Sequence, residues 1–120
     1  MAKRDSRLII YEKIDELLFY SKNLLNKYPK SERFDLCTDI KKSCYEMLRL
    51  TMYAWKTKEK NKQLEYLEDC DIELAVLKNL VRVSYKLQYI NDKNYMTWSE
   101  KLSEIGKMLG GWINFVKAIK

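Results

Sequence analysis

Histidine is missing altogether from these 120 residues. Its absence removes the commonest general base near neutral pH and the commonest metal ligand, and histidine-dependent triads go with it. Glycine occurs 3 times and proline once, too few turn-formers for an all-β fold or a disordered tail. The cysteines, Cys37, Cys44 and Cys70, are odd in number and include no CxxC pair. That excludes a disulfide framework and a zinc knuckle and leaves reduced, buried thiols. No apolar run approaches the ~18 residues of a membrane span. The opening Met1-Ala2-Lys3-Arg4-Asp5-Ser6 leads into a pattern broken by charge every few residues. A soluble, cytoplasmic protein without membrane partners is the expectation.

What remains is a 14.5 kDa chain with 47% apolar and 33% charged residues, the composition of one globular domain built from long helices. Ile14, Leu17, Leu18, Ser21, Leu24, Leu25 and Tyr28 fall on one helical face, which predicts helix 1 over about 6–27. Pro29 pushes Tyr28 out of the α region, so residues 28–33 connect to helix 2, about 33–56, with Ser31 or Asp35 as its cap. Its face is Cys37, Ile40, Cys44, Met47, Leu48, Thr51 and Trp55. Cys37 and Cys44 stand about 10 Å apart along the axis, too far for a disulfide. The lysine-dense stretch Lys56–Lys62 reads as an exposed loop before helix 3, about 62–90. Asn91-Asp92 caps helix 4, about 92–117, whose Tyr95, Trp98, Leu102, Ile105, Leu109, Trp112, Val116 and Ile119 keep a 3,4 spacing like a coiled-coil seam.

Helix 3 carries two apolar stripes, Leu67, Cys70, Leu74, Leu77, Val81 and Val76, Leu80, Val83, Leu87, Ile90. A helix apolar round most of its circumference is sandwiched, which points to burial of Leu80 and Val83 against another subunit. Short connections between four long helices specify an all-α, antiparallel up-down-up-down four-helix bundle, one domain over residues 1–120.

The acid/base groups are carboxylates, and the inward Glu-x-x-His pairs of a di-metal bundle cannot be built. Glu65–Glu73 in the first half of helix 3 and Lys78, Arg82 and Lys86 in the second match the helix dipole as an ordinary solvated face. No enzyme, metal or cofactor is expected. Net charge is +6 and pI about 9.1, a balance that suits a polyanionic partner, although a Lys- and Asn-rich chain can be basic through codon bias. Most of the excess lies in residues 1–60, with 14 basic against 9 acidic side chains. Lys78, Arg82 and Lys86 at spacings of four form a positive ridge. It is too small alone for strong phosphate binding, but a ring of identical subunits would multiply it. Lys41 and Lys42, Arg49, and Lys56, Lys58, Lys60 and Lys62 are weaker candidates. Trp98 and Trp112 read as core or interface anchors. Gly106, Gly110 and Gly111 sit inside helix 4, where each costs about 1 kcal/mol relative to Ala; Gly106 and Gly110, four apart, would admit a neighbouring helix.

Four strings carry a resemblance: Tyr28-Pro29-Lys30-Ser31-Glu32-Arg33-Phe34, Ile40-Lys41-Lys42-Ser43, Leu77-Lys78-Asn79-Leu80-Val81-Arg82 and Glu104-Ile105-Gly106-Lys107-Met108-Leu109-Gly110-Gly111-Trp112-Ile113. Over roughly Tyr11 to Val116 the chain resembles the Avd family, the accessory variability determinant of diversity-generating retroelements. The Pro-Lys-Ser-Glu-Arg string is shared with four-helix proteins encoded in intervening sequences of ribosomal RNA genes. The Avd resemblance implies a bundle that assembles into a homopentameric barrel, binds nucleic acid through basic residues and associates with the element's reverse transcriptase. There it supports mutagenic, adenine-directed copying of a template RNA and retrohoming of the cDNA. Lys78 and Arg82 inherit the nucleic-acid contacts, and Lys86 extends them. The alternatives are an intervening-sequence protein of that second kind, or a structural homo-oligomer whose charge is incidental.

Overall fold

The computed structural model describes residues 6–119, with side chains from residue 9; Lys120 and the opening five residues lie outside them. Four helices run in the order α1 (Ser6–Leu25), α2 (Leu36–Lys56), α3 (Lys60–Lys86) and α4 (Asp92–Lys117), with a 3-10 turn at Lys30–Glu32. Each helix packs on its two neighbours around a square, α1 on α2 and α4, α3 on α2 and α4. Contacts between the helices fix opposite directions. Tyr11 near the start of α1 donates to the Thr51 carbonyl near the end of α2, and Lys13 pairs with Glu104 while Tyr20 meets Trp98. The result is an antiparallel four-helix bundle, 49 Å in its longest dimension. No helix among the described residues is long and apolar enough to cross a membrane.

The connections differ from the sequence expectation in three places. α1 ends at Leu25, since Lys27 and Tyr28 bond back to Leu24 and Leu25 in a tight turn. Pro29, extended at φ −56° and ψ 147°, then starts the 3-10 turn, so α2 begins at Leu36 with Asp35 before it rather than at 33. The lysine-dense stretch is mostly helix. Lys56 closes α2, Lys60 and Lys62 belong to α3, and only residues 57–59 connect them. Lysine is a good helix former, and Lys60 has a further use, donating to the Lys117 carbonyl at 3.3 Å and to that of Ile119. It thereby satisfies acceptors that the end of α4 leaves open.

The third difference is the end of α3, which stops at Lys86 instead of running to 90. Tyr89 N–H bonds to Ser84 O at 3.0 Å and Gln88 N–H to Tyr85 O at 2.9 Å, the paired bonds of a Schellman stop. Gln88 sits at the left-handed position with φ 65°, where a side chain costs about 1 kcal/mol and glycine nothing. Gln88→Gly is therefore expected to raise stability by up to about 1 kcal/mol. A thermal melt reads this as an increase of a few degrees; a lower midpoint would contradict the assignment.

The core is continuous along the bundle axis. Ile14, Leu17, Ile40, Met47, Leu67, Leu77, Leu102, Ile105 and Leu109 are all buried. One polar chain crosses it: the Trp98 indole donates to Ser21 Oγ at 3.0 Å, and Ser21 donates to the Leu17 carbonyl at 2.7 Å. All three cysteines are free and buried. Desolvation pushes the Cys44 thiol up to about 11 and the Cys70 thiol to about 12, so both stay as protonated packing groups.

Candidate nucleic-acid interface

The site is built where α3 and α4 pack together at Gly106. A Cβ at Gly106 would lie 3.3 Å from Leu74 Cδ2 and 3.7 Å from Lys78 Nζ, so a bare backbone at 106 lets the Lys78 ammonium lie against α4. Above this contact the helices splay into a groove of about 340 Å³. From α3 it receives Lys78, Asn79 and Arg82; from α4 it receives Tyr95, Ser99 and Ser103, a row at spacings of four. Arg82 donates to the Asn79 side-chain oxygen one turn back, an anchor for its guanidinium fork. Among the described residues no carboxylate lines the groove and neither cation is in an ion pair. Two cations, three hydroxyl side chains and an amide lining one open groove suit a phosphodiester: lysine as a point charge, arginine as a bidentate fork, the hydroxyls as neutral donors.

The structure divides the predicted ridge. Residues four apart advance by about 40° round a helix, so Lys86 has turned away from Lys78. It lines a separate cleft at the α3–α4 turn with Gln88, Tyr89 and Asn91. Lys41 and Lys42 are not brought to the groove either. Lys41, half-buried, lines a cleft at the α1–α2 turn, and Lys42 is exposed outside it.

The packing candidates also separate. Trp98 and Trp112 are 0% and 6% exposed, so they belong to the core of the single chain and not to an outer face. Gly106 meets α3, but among the described residues nothing from another helix lies within 4 Å of a Cβ at Gly110. On α3 the first stripe is buried. The second faces outward: Ile72, Val76, Val83 and Leu87 are exposed, Leu80 is half-buried, and Ile90 alone turns in. Ile72 extends this stripe by a turn beyond the residues the sequence picked out. Asn79, Tyr95, Ser99 and Ser103 were also missed. Their spacing was visible, but nothing in one sequence says which face of α4 meets α3.

The family model described as bAvd-like matches residues 8–116. A comparison with curated proteins gives no match. Among solved structures, a protein of unknown function from the S23 ribosomal protein family of Bacteroides thetaiotaomicron superposes with a TM-score of 0.83. It is 16% identical, over 92% of this chain and 99% of that one, a likeness of fold.

Proposed function

The chain belongs to the bAvd-like family, and from that premise we propose that it is a non-enzymatic, nucleic-acid-binding accessory protein of a diversity-generating retroelement. It associates with the element's reverse transcriptase and holds the template RNA, or the RNA–DNA hybrid, while mutagenic cDNA is made for retrohoming. The observation that carries this reading is the groove between α3 and α4, where Lys78 and Arg82 stand beside Asn79, Ser99 and Ser103 with no carboxylate partner among the described residues.

Phosphate contacts of this kind are independent of sequence and weaken with salt. Selectivity for the template then comes from RNA shape or from the polymerase. Two cations per chain hold a polyanion weakly, so the reading includes assembly into a homo-oligomer, a pentamer by family likeness, that repeats the groove around a ring. The outward stripe of α3 supports such an assembly, because a row of exposed Ile, Val and Leu at helical spacing is costly to leave in water.

Arg82→Glu tests the reading. RNA affinity is expected to fall on the order of tenfold or more, and the dependence of log affinity on log salt to become shallower by about one unit per contact. Filter binding over a salt series measures both, with particle mass by light scattering as the control. Wild-type affinity in an intact particle would overturn the proposal.

A further inference from the structure

The turn between α1 and α2 closes a second cleft, of about 290 Å³, at the same end of the bundle as the α3–α4 turn. The two turns touch there: Tyr28 packs against Tyr89 at 5.1 Å between rings, and the Tyr89 hydroxyl donates to Glu32 at 2.8 Å. Three cations line the cleft, Lys30 from the 3-10 turn, Arg33 just after it and Lys41 from α2, with no carboxylate lining it among the described residues. Among the described residues none of the three is in an ion pair. Asp35 and Asp39, at the start of α2, do not line it; Glu32, also outside the lining, accepts from Tyr89 and keeps its charge, which reaches the Cys37 wall, one negative charge against the three positive ones. Three like charges around one small space repel each other when it is empty, and an anion relieves that repulsion. The walls are firm, since Tyr28 and Cys37 are buried and Pro29 fixes the backbone between them.

Directly after Arg33 comes Phe34, 88% exposed, more than any other large apolar side chain among the described residues. It adds nothing to the core. Phe34 does not itself line the cleft, but a cationic cleft with an unsheltered ring next in the chain to one of its cations is the pairing that unpaired nucleic acid needs, because its bases are free to stack on a side chain while its backbone is neutralised. A duplex keeps its bases inside and gains only from the charge.

We infer that this cleft is a second nucleic-acid contact, selective for an unpaired strand: Lys30, Arg33 and Lys41 hold a phosphodiester, and an adjacent base lies on Phe34. The inference rests on the nucleic-acid role proposed above and adds to it a site and a strand preference.

The experiment compares a short labelled oligouridylate with a blunt RNA duplex of equal length, by fluorescence anisotropy over a salt series. Phe34→Ala is expected to weaken oligouridylate binding on the order of tenfold and leave the duplex unaffected. Arg33→Gln makes the salt dependence for oligouridylate shallower by about one unit, whereas Arg82→Glu weakens both probes. Circular dichroism confirms that the variants keep their helices. Equal binding by Phe34→Ala and wild type, or an equal loss on both probes, overturns the inference. So does a change in particle mass on Phe34→Ala, which would make Phe34 a subunit contact, or displacement of oligouridylate by a polyglutamate peptide in preference to RNA. If wild type binds neither probe, it is the proposed function that fails, before any variant is made.

Discussion

Replacing Trp98 by alanine is expected to cost about 3–5 kcal/mol of folding free energy, the range for emptying a buried aromatic site. Trp98 is fully buried, packs edge-on against Tyr20 at 6.4 Å, and bridges α4 to α1 through Ser21. A domain of this size holds about 5–15 kcal/mol in total, so the alanine variant stands close to unfolding at ambient temperature. Two companion changes separate volume from hydrogen bonding. Trp98→Phe keeps most of the ring and leaves Ser21 its bond to the Leu17 carbonyl, so it costs less than alanine. Ser21→Ala leaves the indole N–H without an acceptor, a loss of about 1–3 kcal/mol. Urea unfolding followed by circular dichroism reads all three. A cost below about 1 kcal/mol for Trp98→Ala would be incompatible with a buried site.

The second large effect lies on the outer face. Val76→Asp combined with Val83→Asp places two charges in the exposed stripe of α3, and neither position contributes to the core. The isolated bundle is expected to keep its stability, while a homo-oligomer built on that stripe falls apart. From Ile72 to Leu87 the stripe runs about 22 Å along the helix, long enough for a charge at its centre to face any subunit packed along it. Lys78 and Arg82 remain in place, yet RNA binding is expected to fall by about 10²–10⁴, because linked sites lose the advantage of simultaneous engagement. Light scattering on the free protein and anisotropy with RNA provide the two readouts. A particle of unchanged mass would remove the stripe from the assembly.

The sequence and the fold agree best where one period runs without interruption. The seam of α4 from Trp98 to Val116 buries every residue its spacing marked, and the bundle follows from four such faces joined by short connections. Errors fell where tertiary context outweighs composition. Lys56–Lys62 looked like loop because lysines are polar, but lysine propagates a helix well, and Lys60 finds carbonyls on α4 that no local pattern announces. α3 was extended to Ile90 because Leu87 and Ile90 continue its period; the stop is made by a left-handed glutamine, where a glycine would have given it away. At the candidate interface Lys78 and Arg82 were legible from their spacing. Their partners Ser99 and Ser103 were not, since that face of α4 is selected by the close approach at Gly106. Lys30, Arg33 and Lys41 are dispersed over twelve positions in the chain and become one cluster only when Pro29 folds the turn back on α2.

The bundle has unlike ends. The α1–α2 and α3–α4 turns, with the cationic cleft and Lys86, crown one end, and the α2–α3 link lies at the other. Rotation about a single axis keeps every subunit pointing the same way. The ring proposed above would therefore have a head and a tail, and threading nucleic acid through or across it would be a directional act. Under the proposed function, a polymerase docked on one rim would meet the strand before or after this protein according to which rim it occupied, so the geometry of a single turn would set the order of events along the template.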